Sequence, residues 1–246
     1  MRNDMPRSLP SLRARCRMPE PRDDREADPR GEIAVRERPV PSELERASFS
    51  GGQLRGAALR AALLAVEPSS RDAWIDALLG LGEIPEDGPS LPRGGVPYLP
   101  CDVSAILSAI DLVTLDARRT FVDLGAGVGR AAMLVHLLTG ARAIGVEVQP
   151  ELVAHADATL ARLQLGGISM RCADVRSVAL EGDVFFLYAP FSGAILDEVT
   201  RVLAALGARR PIEVITVDLE LALDPACVLD VAGSGRVTRY ALGPRS

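Results

Sequence analysis

The sequence predicts an α/β domain in which a mainly parallel sheet carries helices on both faces and ends in an antiparallel strand. Three observations predict it. From Thr120 onward, short apolar runs alternate with segments of helical periodicity, the order that builds parallel βαβ units. The first run ends in a glycine-rich turn, Asp123-Leu124-Gly125-Ala126-Gly127-Val128-Gly129, directly ahead of a helical pattern. The chain closes on two further runs that flank Gly233-Ser234-Gly235, a hairpin signal.

Each element follows from its own residues. Residues 121–124 form the first strand. Residues 130–139 form a mostly apolar helix, with Gly140 placed as its C-terminal cap. Residues 143–146 form the second strand. Pro150 opens the next helix, where proline is tolerated in the first turn, and Val153, Ala156, Leu160 and Leu163 make its inner face. Residues 168–171 form the third strand. Residues 183–188 form the fourth, whose continuous apolar run predicts burial on both faces. Ser192 is placed to cap a helix carrying Ile195, Val199, Val202 and Leu206. Residues 212–217 form the fifth strand, and residues 226–231 and 236–241 form the hairpin.

Upstream, residues 51–79 predict two helices. The first sets Leu59, Ala62, Leu63 and Val66 on one face. The second is capped by Ser69 or Ser70 and carries Trp74, Ile75, Leu78 and Leu79. Residues 80–100 hold five prolines and five glycines, the composition of a linker or a lid loop. Residues 101–112 form a helix with Val103, Ile106, Leu107 and Ile110 on one face. Residues 1–50 are rich in proline and charge and poor in apolar anchors, which predicts a disordered tail. The expected division is a tail over 1–50, a small helical segment with its linker over 51–95, and a ligand-binding domain over 96–246.

Composition narrows the function. The 246 residues carry a formal charge of −5, and residues 1–50 hold eleven Arg against ten acids, so the remainder is acidic. Binding nucleic acid needs a basic face, so the acidic balance argues against nucleic acid as a partner. Cys16, Cys101, Cys172 and Cys227 are isolated, with only His136 and His155 to assist them, so no zinc or iron–sulfur pattern exists. Free thiols suit a reducing cytoplasm, and the Arg-rich start lacks the apolar stretch of a secretory signal. No apolar run approaches the ~18 residues of a membrane span. A cytoplasmic monomer with no membrane partner is expected.

The glycine turn is the sharpest chemical signal. Its glycines let a ligand approach the backbone, and a helix N-terminus directs N–H groups at an anion such as a carboxylate. A dinucleotide fingerprint requires a third glycine where Arg130 stands. The acid at Asp123 repels a pyrophosphate but attracts an ammonium or sulfonium cation. An amino-acid-bearing nucleoside is therefore favoured over NAD. Glu147, 22 residues after Gly125 and just past the second strand, is placed to accept ribose hydroxyls. Asp174, after the third strand, is placed to accept from an adenine amino group; as a plain loop residue it caps a turn instead.

At these residues the chain resembles the class I S-adenosylmethionine-dependent methyltransferases over roughly residues 96–246. The resemblance implies a Rossmann-like sheet of seven strands with the last antiparallel. It implies S-adenosylmethionine as cofactor: Asp123, Gly125, Ala126 and Gly127 around the methionine part, Glu147 and Val148 at the ribose, Asp174 and Val175 at the adenine. Residues 121–130, the loop 96–100 and Tyr188-Ala189-Pro190-Phe191 are further similar to a bacterial branch distantly related to the non-SET histone lysine methyltransferases. Two features depart from the class. Only residues 218–225 separate the fifth and sixth strands, where a helix is usual. The fourth strand ends without the Asn or Asp that holds a planar amine.

On this basis Tyr188 is the candidate catalytic residue, because the class sets the end of the fourth strand against the transferred methyl. Pro190 and Phe191 are candidates for the floor of the acceptor pocket, and Tyr98 for a residue folding over the cofactor. His136 is expected to be structural and His155 solvated. The acceptor itself, a protein side chain or a small molecule, is not legible. A non-catalytic binding module on the same fold is the alternative, and fold alone does not decide between them.

Overall fold

One seven-stranded sheet organises the structure, in the order β3-β2-β1-β4-β5-β7-β6. Its strands are β1 (Thr120–Leu124), β2 (Arg142–Glu147), β3 (Ile168–Cys172), β4 (Val184–Tyr188), β5 (Ile212–Val217), β6 (Val228–Ser234) and β7 (Val237–Leu242). The computed structural model describes residues 40–89 and 91–244. β1 to β5 pair in parallel, and β7 runs antiparallel between β5 and β6. The predicted mainly parallel sheet with an antiparallel last strand is thus present.

The strands sort their side chains between two cores with period two. Phe121 and Phe186 face one core, their rings 5.7 Å apart. Val122, Leu124, Phe185 and Leu187 face the other. Against the first core pack α4 (Val103–Asp111), α5 (Arg130–Thr139) and α6 (Pro150–Leu163). Against the second packs α7 (Gly193–Gly207), through Ile195, Val199 and Leu203. Helices do cover both faces, but unequally. The β3–β4 and β5–β6 connections contain no helix and cover the second core with Val175, Val178, Leu180, Leu219, Leu221 and Leu223.

The upstream region departs from the expected division. Residues 43–50, which composition assigns to the tail, form α1 (Glu43–Ser50). A reciprocal capping box between Ser42 and Glu45 starts this helix, satisfying two otherwise orphan donors. Phe49 is 3 % exposed, with the Arg55 guanidinium 4.2 Å from its ring centre. Charge in the segment outvoted one aromatic anchor and a cap. The rest of the predicted tail, residues 1–39, lies outside the described residues. α2 (Gly56–Ala65) and α3 (Arg71–Leu79), joined by a 3-10 turn, bury Leu59, Leu63, Trp74, Ile75, Leu78 and Leu79 in the same core as α5. The helical segment is therefore part of the main domain's packing and not a separate body. Ser70 precedes α3, and Ser192 precedes α7, but neither side chain makes a capping hydrogen bond. Among the described residues, no helix is long and apolar enough to cross a membrane.

Candidate functional site

The C-terminal ends of β1, β2, β4 and β5 open into one cleft, roofed by residues 91–99. Open α/β sheets place ligands at this edge, where strand order reverses; here β1 is followed outward by β2 on one side and β4 on the other. Gly125, Glu147, Val148, Asp174, Val175, Tyr188, Pro190 and Phe191, all predicted site residues, line the cleft with Tyr98. Its other lining side chains are mostly apolar, joined by Gln149 and Asp218.

The glycines of the β1 turn are required by space as well as by dihedral angle. Gly125 and Gly127 have φ of 84° and 54°, a region where only glycine is unstrained. A Cβ on Gly125 would collide with the Pro190 ring, and one on Gly127 with the Tyr98 ring. The turn's amides are directed inward, contrary to the anion-binding role expected of them. Gly125 and Ala126 donate to the Val146 carbonyl at 2.9 and 3.1 Å, and Gly129 donates to that of Ala126 at 2.8 Å. Gly127 donates to Glu147 Oε2 at 2.9 Å.

Glu147 is a hub. Its Oε1 accepts from the amides of Val148 and Gln149 at 2.8 and 2.9 Å, while Oε2 takes Gly127. One carboxylate thus joins the β1 turn to the β2 turn and still faces the cleft. At 7 % exposure its charge is largely desolvated, a cost offset by three charge-assisted bonds.

Asp123 is displaced from its expected place. It lies behind the turn at 4 % exposure and does not line the cleft. Its carboxyl faces the Ala132 amide in the first turn of α5. Burial, reinforced by the nearby Glu147 carboxylate, pushes its carboxyl up to about 7. Arg130, also 4 % exposed, pairs with Asp72 at 2.7 Å and Asp76 at 2.9 Å and donates to the Cys101 carbonyl at 3.1 Å. The residue that breaks a dinucleotide fingerprint therefore anchors α3 to the start of α5.

Asp174 reaches the rim of the cleft, but both of its oxygens hold the Arg176 guanidinium, at 2.5 to 3.2 Å. That pairing holds its carboxyl below the usual range. Its turn-forming role is the one visible, since the Arg176 amide also donates to it at 2.9 Å.

The β4 end carries strain. Ala189 and Asp218, which follow β4 and β5, have φ of 40° and 51°. Left-handed non-glycine residues of this kind cluster at functional sites. Arg236, in the β6–β7 turn, lies beside the Tyr188 hydroxyl. It also pairs with Asp218 and, at 2.9 Å, with Asp102. The roof is pinned to the same segment: Val96 donates to the Pro190 carbonyl at 3.0 Å and Ser192 to that of Gly94 at 2.8 Å.

Tyr98 packs its ring against Gly127, as a covering residue would, and its hydroxyl is buried with no hydrogen-bond partner. Burial pushes this phenol well above its ordinary range. His136 is structural, bonding the Ala141 carbonyl at 2.7 Å. His155 is half-buried, not solvated, and outside the cleft lining. Sequence reasoning missed Gln149, Asp218 and Arg236. Polar residues beyond strand ends are common, and only the topology brings the hairpin turn to β4.

Comparison with known proteins covers both fold and cofactor half. Residues 101–182 match the family model of protein-L-isoaspartate(D-aspartate) O-methyltransferase, a span that includes the glycine turn, Glu147 and Asp174 and stops before β4. No curated protein sequence matches the chain. The structure is similar to that of an RNA methyltransferase from Salinibacter ruber in complex with S-adenosyl-L-homocysteine. Identity is 20 %, coverage is 60 % of this chain and 95 % of that one, and the TM-score is 0.51. The putative methyltransferase yhhF from Escherichia coli matches at 17 % identity over 66 % of this chain and 92 % of that one, with a TM-score of 0.47. A SAM dependent methyltransferase from Aquifex aeolicus matches at 17 % identity over 72 % and 98 %, with a TM-score of 0.41. The finer resemblance to the non-SET histone lysine branch finds no support among these.

Proposed function

We infer that this chain, a class I, Rossmann-like S-adenosylmethionine-dependent methyltransferase, moves the cofactor's methyl group to an uncharged or cationic acceptor, a protein side chain or small molecule, in the cytoplasm. The observation that carries the acceptor class is the charge of the cleft. Its charged lining residues among those described are Glu147, Asp174 and Asp218, all acids, and the neighbouring Arg176 and Arg236 are paired with two of them. Such a field favours a sulfonium cofactor and disfavours a phosphate-bearing acceptor.

The residues present fit the cofactor. A cradle without Cβ atoms at Gly125, a ribose-facing carboxylate at Glu147 and the unpartnered buried Tyr98 hydroxyl are features a nucleoside amino acid would complete. Val148 and Val175 offer apolar walls for the adenine, and Tyr98 its hydroxyl for the carboxylate that the turn amides do not serve. When bound, the cofactor supplies an electrophilic methyl on a cationic sulfur, and that chemistry is its own. The protein aligns the acceptor and excludes water. Tyr188, Pro190 and Phe191 shape the acceptor side, with the roof over 91–99 closing it. The Tyr188 hydroxyl can both donate and accept, and Tyr188 lines the cleft. There it can orient an acceptor lone pair; a base is needed only for an acceptor that arrives protonated.

Incubating cell extract with the protein and methyl-labelled cofactor tests this reading. Label should enter a fraction sensitive to protease or of low molecular mass, and treatment with nucleases should not remove it. Label in RNA or DNA would overturn the acceptor class. Tight cofactor binding with no labelled product would favour the non-catalytic module.

A further inference from the structure

We propose that Asp87 is a positioning residue for the cofactor, fastening the roof of the cleft to the turn that carries Glu147. The proposal rests on the cofactor reading above. Asp87 Oδ1 accepts two hydrogen bonds, from the Tyr98 amide at 2.9 Å and from Gln149 Nε2 at 2.8 Å. The other end of the Gln149 amide is also used: its Oε1 accepts from the Gly88 amide at 2.8 Å. Gln149 is 2 % exposed, so leaving its amide unpaired is costly, whereas Asp87 itself is exposed and its bond with the Tyr98 amide lies at the surface.

The contacts close a ring. Glu147 holds the amides of Gln149 and Gly127. Gln149 holds Asp87, Asp87 holds Tyr98, and the Tyr98 ring lies on Gly127. The carboxylate that faces the ribose and the aromatic that covers the turn are thus joined through one carboxylate outside the cleft lining. Opening this ring would loosen both the Glu147 and the Tyr98 contact on a ligand held between them. Asp87 touches none of the reacting groups, so its effect passes through Tyr98 and Gln149.

Two variants separate the ring from general stability. Asp87→Ala removes the acceptor, whereas Asp87→Asn keeps an oxygen that can take both bonds. In ligand-free protein, amide exchange over residues 91–100 should quicken in Asp87→Ala and stay near wild type in Asp87→Asn. Dissociation of S-adenosylhomocysteine should quicken about tenfold in Asp87→Ala, a loss of about 1.4 kcal/mol, and less than about threefold in Asp87→Asn. Wild-type exchange in Asp87→Ala would overturn the proposal, because the ring then bears no load. Faster exchange with unchanged dissociation would also overturn it, because the roof then does not position the ligand. No binding of S-adenosylhomocysteine by the wild-type protein would contradict the cofactor reading and the proposal together, and so differs from either result.

Discussion

The Arg236 guanidinium lies beside the Tyr188 hydroxyl at the open ends of β4 and β5. Arg236 comes from the hairpin turn and is held by Asp218 and Asp102, so a residue far along the chain is set beside the phenol at the acceptor side. Tyr188→Ala should keep S-adenosylhomocysteine affinity within about threefold while methyl transfer falls tenfold or more, about 1.4 kcal/mol at the transition state. Tyr188→Phe isolates the hydroxyl. If Arg236 acts through that hydroxyl, Arg236→Gln should cost little more in a Tyr188→Phe background. Fully additive losses would separate the two residues.

Glu147 serves ligand and scaffold at once. Glu147→Ala should weaken S-adenosylhomocysteine binding about ten- to a hundredfold, the value of a charged hydrogen bond of roughly 1.5–3 kcal/mol. It also strands the Gly127 and Gln149 amides, so the melting temperature should drop as well. Calorimetric titration and thermal melts read the two effects separately. Unchanged affinity would remove Glu147 from the site.

Much of this arrangement was legible in the sequence. Strand and helix order, the glycine turn and Glu147 follow from local periodicity and spacing, the role of the β4 end follows from the family resemblance, and the structure brings Gly125, Glu147 and the β4 end to one cleft. The exceptions are non-local. Asp123 was assigned to the ligand because an acid precedes the turn; the backbone instead directs it inward to the Ala132 amide. The turn amides were expected to be free, but the parallel pairing of β1 with β2 supplies the Val146 carbonyl that takes two of them. Asp174 binds Arg176, two residues on, a pairing open to any flexible loop. Phe49 needed only one buried face to order α1.

Asp123 makes stability depend on pH. Its folded-state pKa, about 7, lies above the ordinary value near about 3.9. The folded state therefore binds its proton more tightly, and this contribution to stability is complete at low pH and lost as pH rises through about 7. Asp123→Asn removes the titration at nearly unchanged side-chain volume. Its melting temperature relative to wild type should rise between about pH 5 and about pH 8, by about 2–4 °C for each kcal/mol involved. A difference independent of pH would show that Asp123 is already ionised in the fold.

Phe49 tests where the folded unit begins. It is 3 % exposed and belongs to the main core. Phe49→Ala should cost about 3–5 kcal/mol, read as a lower denaturation midpoint with an unchanged slope. A loss below about 1 kcal/mol, the range of surface substitutions, would return α1 to the tail.

The most direct test of the account is the melting temperature in the presence of S-adenosylmethionine, S-adenosylhomocysteine and NAD. The cleft closed by Glu147 and Tyr98 should bind the first two, and a ligand at about 100 times its Kd adds about 2.7 kcal/mol of stability. At about 2–4 °C per kcal/mol, that is a shift of roughly 5–10 °C, with none from NAD. No shift with either methionine nucleoside at millimolar concentration, together with a shift by NAD, would contradict the assignment of this site.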